Sequence, residues 1–213
     1  MTTMLHLDRA AGHLWDETGR RFEPRRRIWR AAAAADGPSG GGAIEADDAV
    51  RWLQRESGAP CRVPVGVIGP RAAEPRQLDG AERLGGRLAA MGLVLLCGGR
   101  EGVMEAACRG AAAAGGIAIG LLPDETWEAA NPHVTVPIAT GLGEARNAII
   151  PRASLCLVAL GGGYGTLAEI AFALQFGRPV FGLLGAPEIA GVTAVASVDD
   201  ACREIAHVVL GLG

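Results

Sequence analysis

Five short runs of this 213-residue chain are apolar almost from end to end: Val63 to Ile68, Leu93 to Cys97, Ile117 to Leu122, Leu155 to Leu160 and Val180 to Leu184. Strands of this kind have no wet face. They belong in a parallel sheet covered by helices on both sides. The segments between them have helical spacing, with Ala81, Leu84, Leu88 and Met91 on one face of the first and Val103, Met104, Ala107 and Ala111 on the second, which stops at Gly115-Gly116. Further helices are expected from near Gly143, over Leu167 to Phe176, and over Val198 to Leu210 with Ser197 as its cap. Short strands are expected at Val134 to Ile138 and Val192 to Ala196. The pattern predicts an α/β, Rossmann-like three-layer domain over residues 61–213, with ligands at the carboxyl ends of the strands.

Residues 1–60 read as a separate small extension. Leu5-His6-Leu7, Leu14-Trp15 and Arg21-Phe22 flank polar turns and suggest a hairpin. Ala31 to Ala35, a flexible linker at residues 36–42, and a helix bearing Ala46, Ala49, Val50 and Leu53 follow. Arg20, Arg21, Arg25, Arg26, Arg27 and Arg30 form a basic cluster in which Trp29 is a candidate stacking partner for nucleic acid. The commoner reading is a solvated or ion-paired face, and no nucleic-acid partner is expected.

Composition narrows the chemistry. A net charge of −3 gives no general attraction to nucleic acid or anionic membrane. No stretch reaches the length of a membrane span, and five scattered cysteines without a C-x-x-C pair read as reduced core residues, so a cytoplasmic protein is expected. The four histidines share no ligand spacing, which leaves no metal site and no cofactor in view. The chain has no lysine at all. Schiff-base chemistry, a pyridoxal-phosphate anchor and a Walker A loop are therefore excluded.

The fourth apolar run breaks into Gly161-Gly162-Gly163-Tyr164-Gly165-Thr166, followed by a helix with Glu169 near its start. Glycines allow close backbone approach, and a helix N-terminus presents unpaired N–H groups with a positive dipole end, so this turn is a cradle for a phosphate. Gly162, Gly163, Gly165 and Thr166 are the expected phosphate loop. Tyr164 either faces a bound base or points into solvent. Glu169 stands at capping-box spacing from Thr166, and is also placed to act on the ribose of a bound nucleotide. Arg146, with Asn147 beside it, is expected to clamp the phosphate or to hold Glu169 ionised. Gly98 and Gly99 form a second glycine turn at a strand end. The helix Ile170 to Phe176 is apolar nearly all round, which favours a homodimer or higher homo-oligomer over core placement alone.

Four motifs in order, Gly98-Gly99…Gly102-Val103-Met104-Glu105, Gly115-Gly116…Leu122-Pro123, Ala145-Arg146-Asn147 and Gly162-Gly163-Tyr164-Gly165-Thr166-Leu167-Ala168-Glu169, resemble the Lonely Guy (LOG) superfamily over about residues 62–210. The resemblance implies a Rossmann-like homodimer that hydrolyses the N-glycosidic bond of a nucleoside 5′-monophosphate to free base and ribose 5-phosphate. Arg146 and Glu169 would be its catalytic pair. It is closer to a branch of molybdenum-cofactor carriers and nucleotide-binding proteins, which implies as the alternative a non-catalytic binder of a phosphorylated ligand, either a carrier or a nucleotide sensor. Gly161 stands where the hydrolases usually have proline. The family's older label, lysine decarboxylase, does not suit a chain without lysine.

Overall fold

The computed structural model describes residues 4–32, 41–59 and 62–212. The chain divides into two compact units, residues 1–61 together with 203–213, and residues 62–202.

In the first unit, β1 (Leu5–Asp8), β2 (His13–Asp16), β3 (Arg20–Glu23), β4 (Ile28–Ala31) and β5 (Gly42–Ile44) form an antiparallel sheet in the order β4-β3-β2-β1-β5. Leu5, Leu7, Leu14, Trp15 and Phe22 are buried, as are Val50, Trp52 and Leu53 of the amphipathic helix α1 (Ala46–Arg55). A five-stranded sheet replaces the expected hairpin. The connection into β4 runs through Pro24-Arg25-Arg26-Arg27, where Pro24 is the one ordinary turn residue and the bend is completed by Arg27 at φ 54, a conformation ordinarily left to glycine or asparagine. Of the expected linker, residues 36–40 lie outside the described residues, as do 33–35 of the alanine run, and Gly42 belongs to β5. Trp29 is half-buried. Its Nε1 donates to the Leu210 carbonyl at 2.7 Å and its ring packs on Phe22 at 5.0 Å. Arg20 pairs with Asp16, and Arg26 and Arg30 share Glu23.

In the second unit, β6 (Val65–Ile68), β7 (Leu95–Cys97), β8 (Ala118–Leu122), β9 (Val136–Ala139), β10 (Leu157–Leu160), β11 (Val180–Leu183) and β12 (Val192–Ala194) make one parallel sheet, ordered β12-β11-β10-β6-β7-β8-β9. The order turns back between β6 and β10, whose residues 66–68 pair with 157–159. Crevices open at the carboxyl ends of strands where the order reverses.

Against one face lie α2 (Pro75–Ala90) and α3 (Val103–Ala113). Their backbones nearly touch, since a Cβ on Gly110 would lie 1.9 Å from the Glu82 carbonyl oxygen and one on Gly85 2.0 Å from that of Ala107. On the other face, Ile68, Leu96, Leu121, Leu157, Ala159 and Val180 cluster with Ile150 of α4 (Ile149–Ala153) and with Ile170 and Ala173 of α5 (Tyr164–Gln175). The helix α6 (Val198–Leu210) closes the chain, with Asp200 N–H donating to Ser197 Oγ at its start. This is the expected three-layer α/β architecture.

Candidate functional site

The glycine loop forms because an L-residue cannot complete the bend out of β10. Gly161 has φ +67, its N–H donates to the Leu183 carbonyl at 3.1 Å, and a Cβ there would meet Gln77 Nε2 at 2.3 Å. Proline fails on two counts: its φ is locked near −65° and it has no N–H. Gly162 abuts Pro187, which a Cβ would approach to 2.8 Å. Gly163 is the N-cap of α5, so the helix begins inside the glycine run, three residues earlier than its apolar pattern predicts. The N–H groups of Tyr164, Gly165 and Thr166 occupy the first turn, where no intrahelical acceptor exists. Thr166 is thus not a cap, and Glu169 is not the partner of a capping box.

A cavity of about 280 Å³ opens over this turn at the reversal between β6 and β10. Its walls include Gly163, Gly165, Thr166 and Glu169 from α5 and Glu144, Arg146 and Asn147 from the 3₁₀ turn Gly143–Ala148. Gly69, Pro70 and Arg71 beyond β6 complete it with Met104. Gly98 and Gly99 lie below rather than in the wall. The Gly98 Cα leaves room for the guanidinium, as a Cβ would stand 2.8 Å from an Arg146 terminal nitrogen. Gly99 has φ +70, donates to Cys97 Sγ, and accepts from Asn131 N–H. Tyr164 is 92% exposed, and Gly162 faces Pro187.

The local reading missed Gly69, Pro70, Arg71, Met104 and Glu144 as lining residues. A glycine-proline break after the first apolar run was the available signal, but its value depends on β6 lying beside β10.

Two opposed charges occupy the floor. Arg146 Nη1 lies 3.4 Å from Glu169 Oε1, and the two residues are only 4% and 7% exposed. Burial pushes the Glu169 carboxyl up to about 7, against the lowering pull of Arg146, while Glu144 adds to the rise. Arg146 does not hold Glu169 fully ionised, because desolvation outweighs the attraction. Burial likewise lowers the arginine, and its Nε finds no partner among the described residues. The site therefore has donor capacity to spare and a carboxyl about half protonated near neutrality.

A pH dependence of stability follows. A free glutamate titrates near 4.5, so between there and about 7 the folded chain holds a proton that the unfolded chain releases. Stability contributed by this group is full below about 4.5 and is lost as pH rises through 7, by on the order of 3 kcal/mol. Urea unfolding from pH 5 to 8 should show this decline, and Glu169→Gln should flatten it. An unchanged slope in the variant would place the titration elsewhere.

A larger recess of about 550 Å³ is lined by residues 182–194, chiefly Ala186, Pro187, Ile189 and Val192, with Glu188 its one charged lining residue. It has no buried cation and no helix start, so the smaller cavity is the candidate anion site. Among the described residues no group of three or more His, Cys, Asp or Glu side chains is placed to hold a metal ion, and no helix is long and apolar enough to cross a membrane.

A model of the SLOG cluster4 family matches residues 62–207. The chain belongs to the SLOG cluster4 family. That match contains every wall of the cavity. Over 137 residues this SLOG chain is 39% identical to an uncharacterised protein of Archaeoglobus fulgidus, covering 64% of this chain and 90% of that one. The molybdenum cofactor binding protein of Rippkaea orientalis superposes with a TM-score of 0.65 at 36% identity, over 69% of this chain and 97% of the other. The molybdenum cofactor carrier protein of Chlamydomonas reinhardtii gives 0.63 at 40%, over 68% and 98%. DNA processing protein A of Helicobacter pylori, at 16% identity and a TM-score of 0.54, shares the fold alone.

These comparisons correct the expected activity. The similar proteins of Rippkaea orientalis and Chlamydomonas reinhardtii, 36–40% identical along nearly their whole length, are named for binding or carrying the molybdenum cofactor, not for nucleotide hydrolysis. At the loop the chain departs from the hydrolase pattern, since Gly161, at φ +67, adopts a backbone that proline cannot.

Proposed function

We propose that the chain is a non-catalytic binder of a phosphorylated cofactor, a carrier of the molybdenum-cofactor kind, with residues 61–213 as the binding domain and residues 1–60 as an extension. The observation that carries this reading is the likeness, at 36–40% identity, to proteins named for binding or carrying that cofactor, over the segment that contains the cavity. In it the first-turn N–H groups of α5 and the Thr166 hydroxyl take the phosphate, and Arg146 supplies charge from below. Asn147, whose amide lies 3.5 Å from Glu144 Oε2, keeps that carboxylate off the anion. Gly162 and Gly163 allow the close approach. The Gly98-Gly99 turn gives the arginine its seat, and the Tyr164 ring lies over an extended ligand.

The carrier works in the cytoplasm as a homo-oligomer. Leu167 and Phe172 on the outer side of α5 are each more than a third exposed, and Phe172 stacks on Phe176, which Arg152 covers at 3.7 Å. Sedimentation of the purified chain reads the oligomeric state, and a monomer at micromolar concentration removes that part of the reading.

The decisive test is cargo. Protein purified from a host that makes pterin cofactors should release, on denaturation, a fluorescent phosphorylated pterin in near-stoichiometric amount. It should liberate no base from AMP over hours. Purification with no pterin, together with no uptake of phosphorylated pterin in vitro, would sink the carrier reading, and free adenine from AMP would do the same.

A further inference from the structure

Arg71 is the cavity residue with no assigned task. It follows the carboxyl end of β6, lines the same cavity as the first turn of α5, is exposed, and makes no ion pair among the described residues. Its position is fixed by backbone rather than by its own side chain. Gly102, at φ +73, brings the second glycine turn so close that a Cβ there would lie 2.2 Å from the Arg71 carbonyl oxygen and 2.5 Å from that of Pro70. Val103 N–H donates to the Pro70 carbonyl at 3.2 Å. The chain thus uses a left-handed glycine and the start of α3 to hold residues 70–71 at the cavity mouth. No structural need for a guanidinium at that point is evident, since the contacts that fix the segment are all main-chain.

The polar lining of the cavity gives the guanidinium a use. Two cations, Arg71 and Arg146, face two carboxyls, Glu144 and Glu169, and Arg71 is near enough to depress the basicity of Arg146. Glu169 is buried and holds a proton part of the time near neutrality, and Glu144 lies against the Asn147 amide. A phosphate taken by the α5 turn and Arg146 leaves the guanidinium of Arg71, exposed and without an ion pair among the described residues, available to hydrogen-bond a second oxyanion.

We infer that Arg71 is a specificity-determining residue that binds a second anionic group, so that the cavity selects ligands carrying two oxyanions over simple monophosphates. This rests on the reading of the α5 turn as a phosphate site. It adds the class of ligand: a diphosphate, or a phosphate ester with another anionic group elsewhere on the molecule. Arginine suits either because its planar fork engages two oxygens of an oxyanion at once.

The experiment is calorimetric titration of the full chain with inorganic phosphate and pyrophosphate, and with AMP and adenosine 3′,5′-bisphosphate. The wild type should prefer the doubly anionic member of at least one pair by tenfold or more. A preference for pyrophosphate places the second anion next to the first, and one for the bisphosphate places it across the molecule. Arg71→Ala should reduce that ratio to near one, Arg71→Lys should restore part of it, and Arg76→Ala, at an exposed guanidinium paired with Glu74, should leave it alone. Thermal unfolding of each variant checks that the fold survives. If the wild type binds both members of each pair equally, or Arg71→Ala keeps the preference, the inference is overturned while the phosphate site stands. If no phosphate compound binds at all, the underlying reading falls with it.

Discussion

Replacing Arg146 by alanine should weaken binding of a phosphorylated ligand by a factor of about 100, the upper range for a charge-assisted hydrogen bond of about 3 kcal/mol. The guanidinium is 4% exposed, its Nε is unpartnered, and it lies under the N-terminus of α5, so its loss leaves the anion in a site whose other deep ionisable group is a carboxyl. Lysine should not substitute. A point charge on a flexible stem cannot reproduce a fork seated against Gly98, and an ammonium is costlier to desolvate. Without Arg146 the attraction that lowers Glu169 disappears, so that carboxyl rises further and stays protonated, limiting the damage to stability. Titration of the variant with the ligand released from wild-type protein is the measurement, and affinity within threefold of wild type would remove Arg146 from the site.

The largest effect on stability is expected at Gly110. Alanine is the better helix former by ~1 kcal/mol, yet at this position its methyl group would lie 1.9 Å from the Glu82 carbonyl oxygen, well inside contact distance. That neighbour is backbone of α2 and cannot rotate away. The helices must separate, loosening the Arg109–Glu82 ion pair beside them and the packing of both against the sheet. Overpacking of this kind costs about 3 kcal/mol, or a fall in Tm of about 6–12 °C for a chain of this size. Gly86→Ala is the control, because its new Cβ would have only the Gly110 carbonyl oxygen near it, at an ordinary 3.6 Å. Equal melting temperatures for the two variants would refute the close crossing.

The layers of the second unit were readable from local pattern because an apolar strand and a 3.6-residue stripe each carry their own signature. The glycine loop, Arg146 and Glu169 were readable for a related reason: a glycine run between a strand and a helix marks a bend at a strand end wherever it falls. Arg71 was not. It becomes a wall of the cavity only because β6 lies next to β10, and strand order is set by which helices cover which face rather than by residues near position 71. Arg27 shows the same limit in the first unit. A turn that ends on an arginine at positive φ carries only Pro24 of the usual turn residues, and β4 was lost with it. The Thr166–Glu169 spacing misled in the opposite direction, since a capping box on Thr166 presupposes a helix beginning at Leu167, and α5 begins at Tyr164.

Gln77 bears on how the cradle performs. Its Oε1 accepts from Glu74 N–H at the start of α2, its Nε2 donates to the carbonyl of Leu184, and the amide fills the space that a side chain at position 161 would need. One buried amide thereby ties a helix end, the β11 exit and the glycine bend together. Cross-linked in this way, the bend has its entropy of ordering lost once, during folding, instead of being deducted from the binding of a ligand.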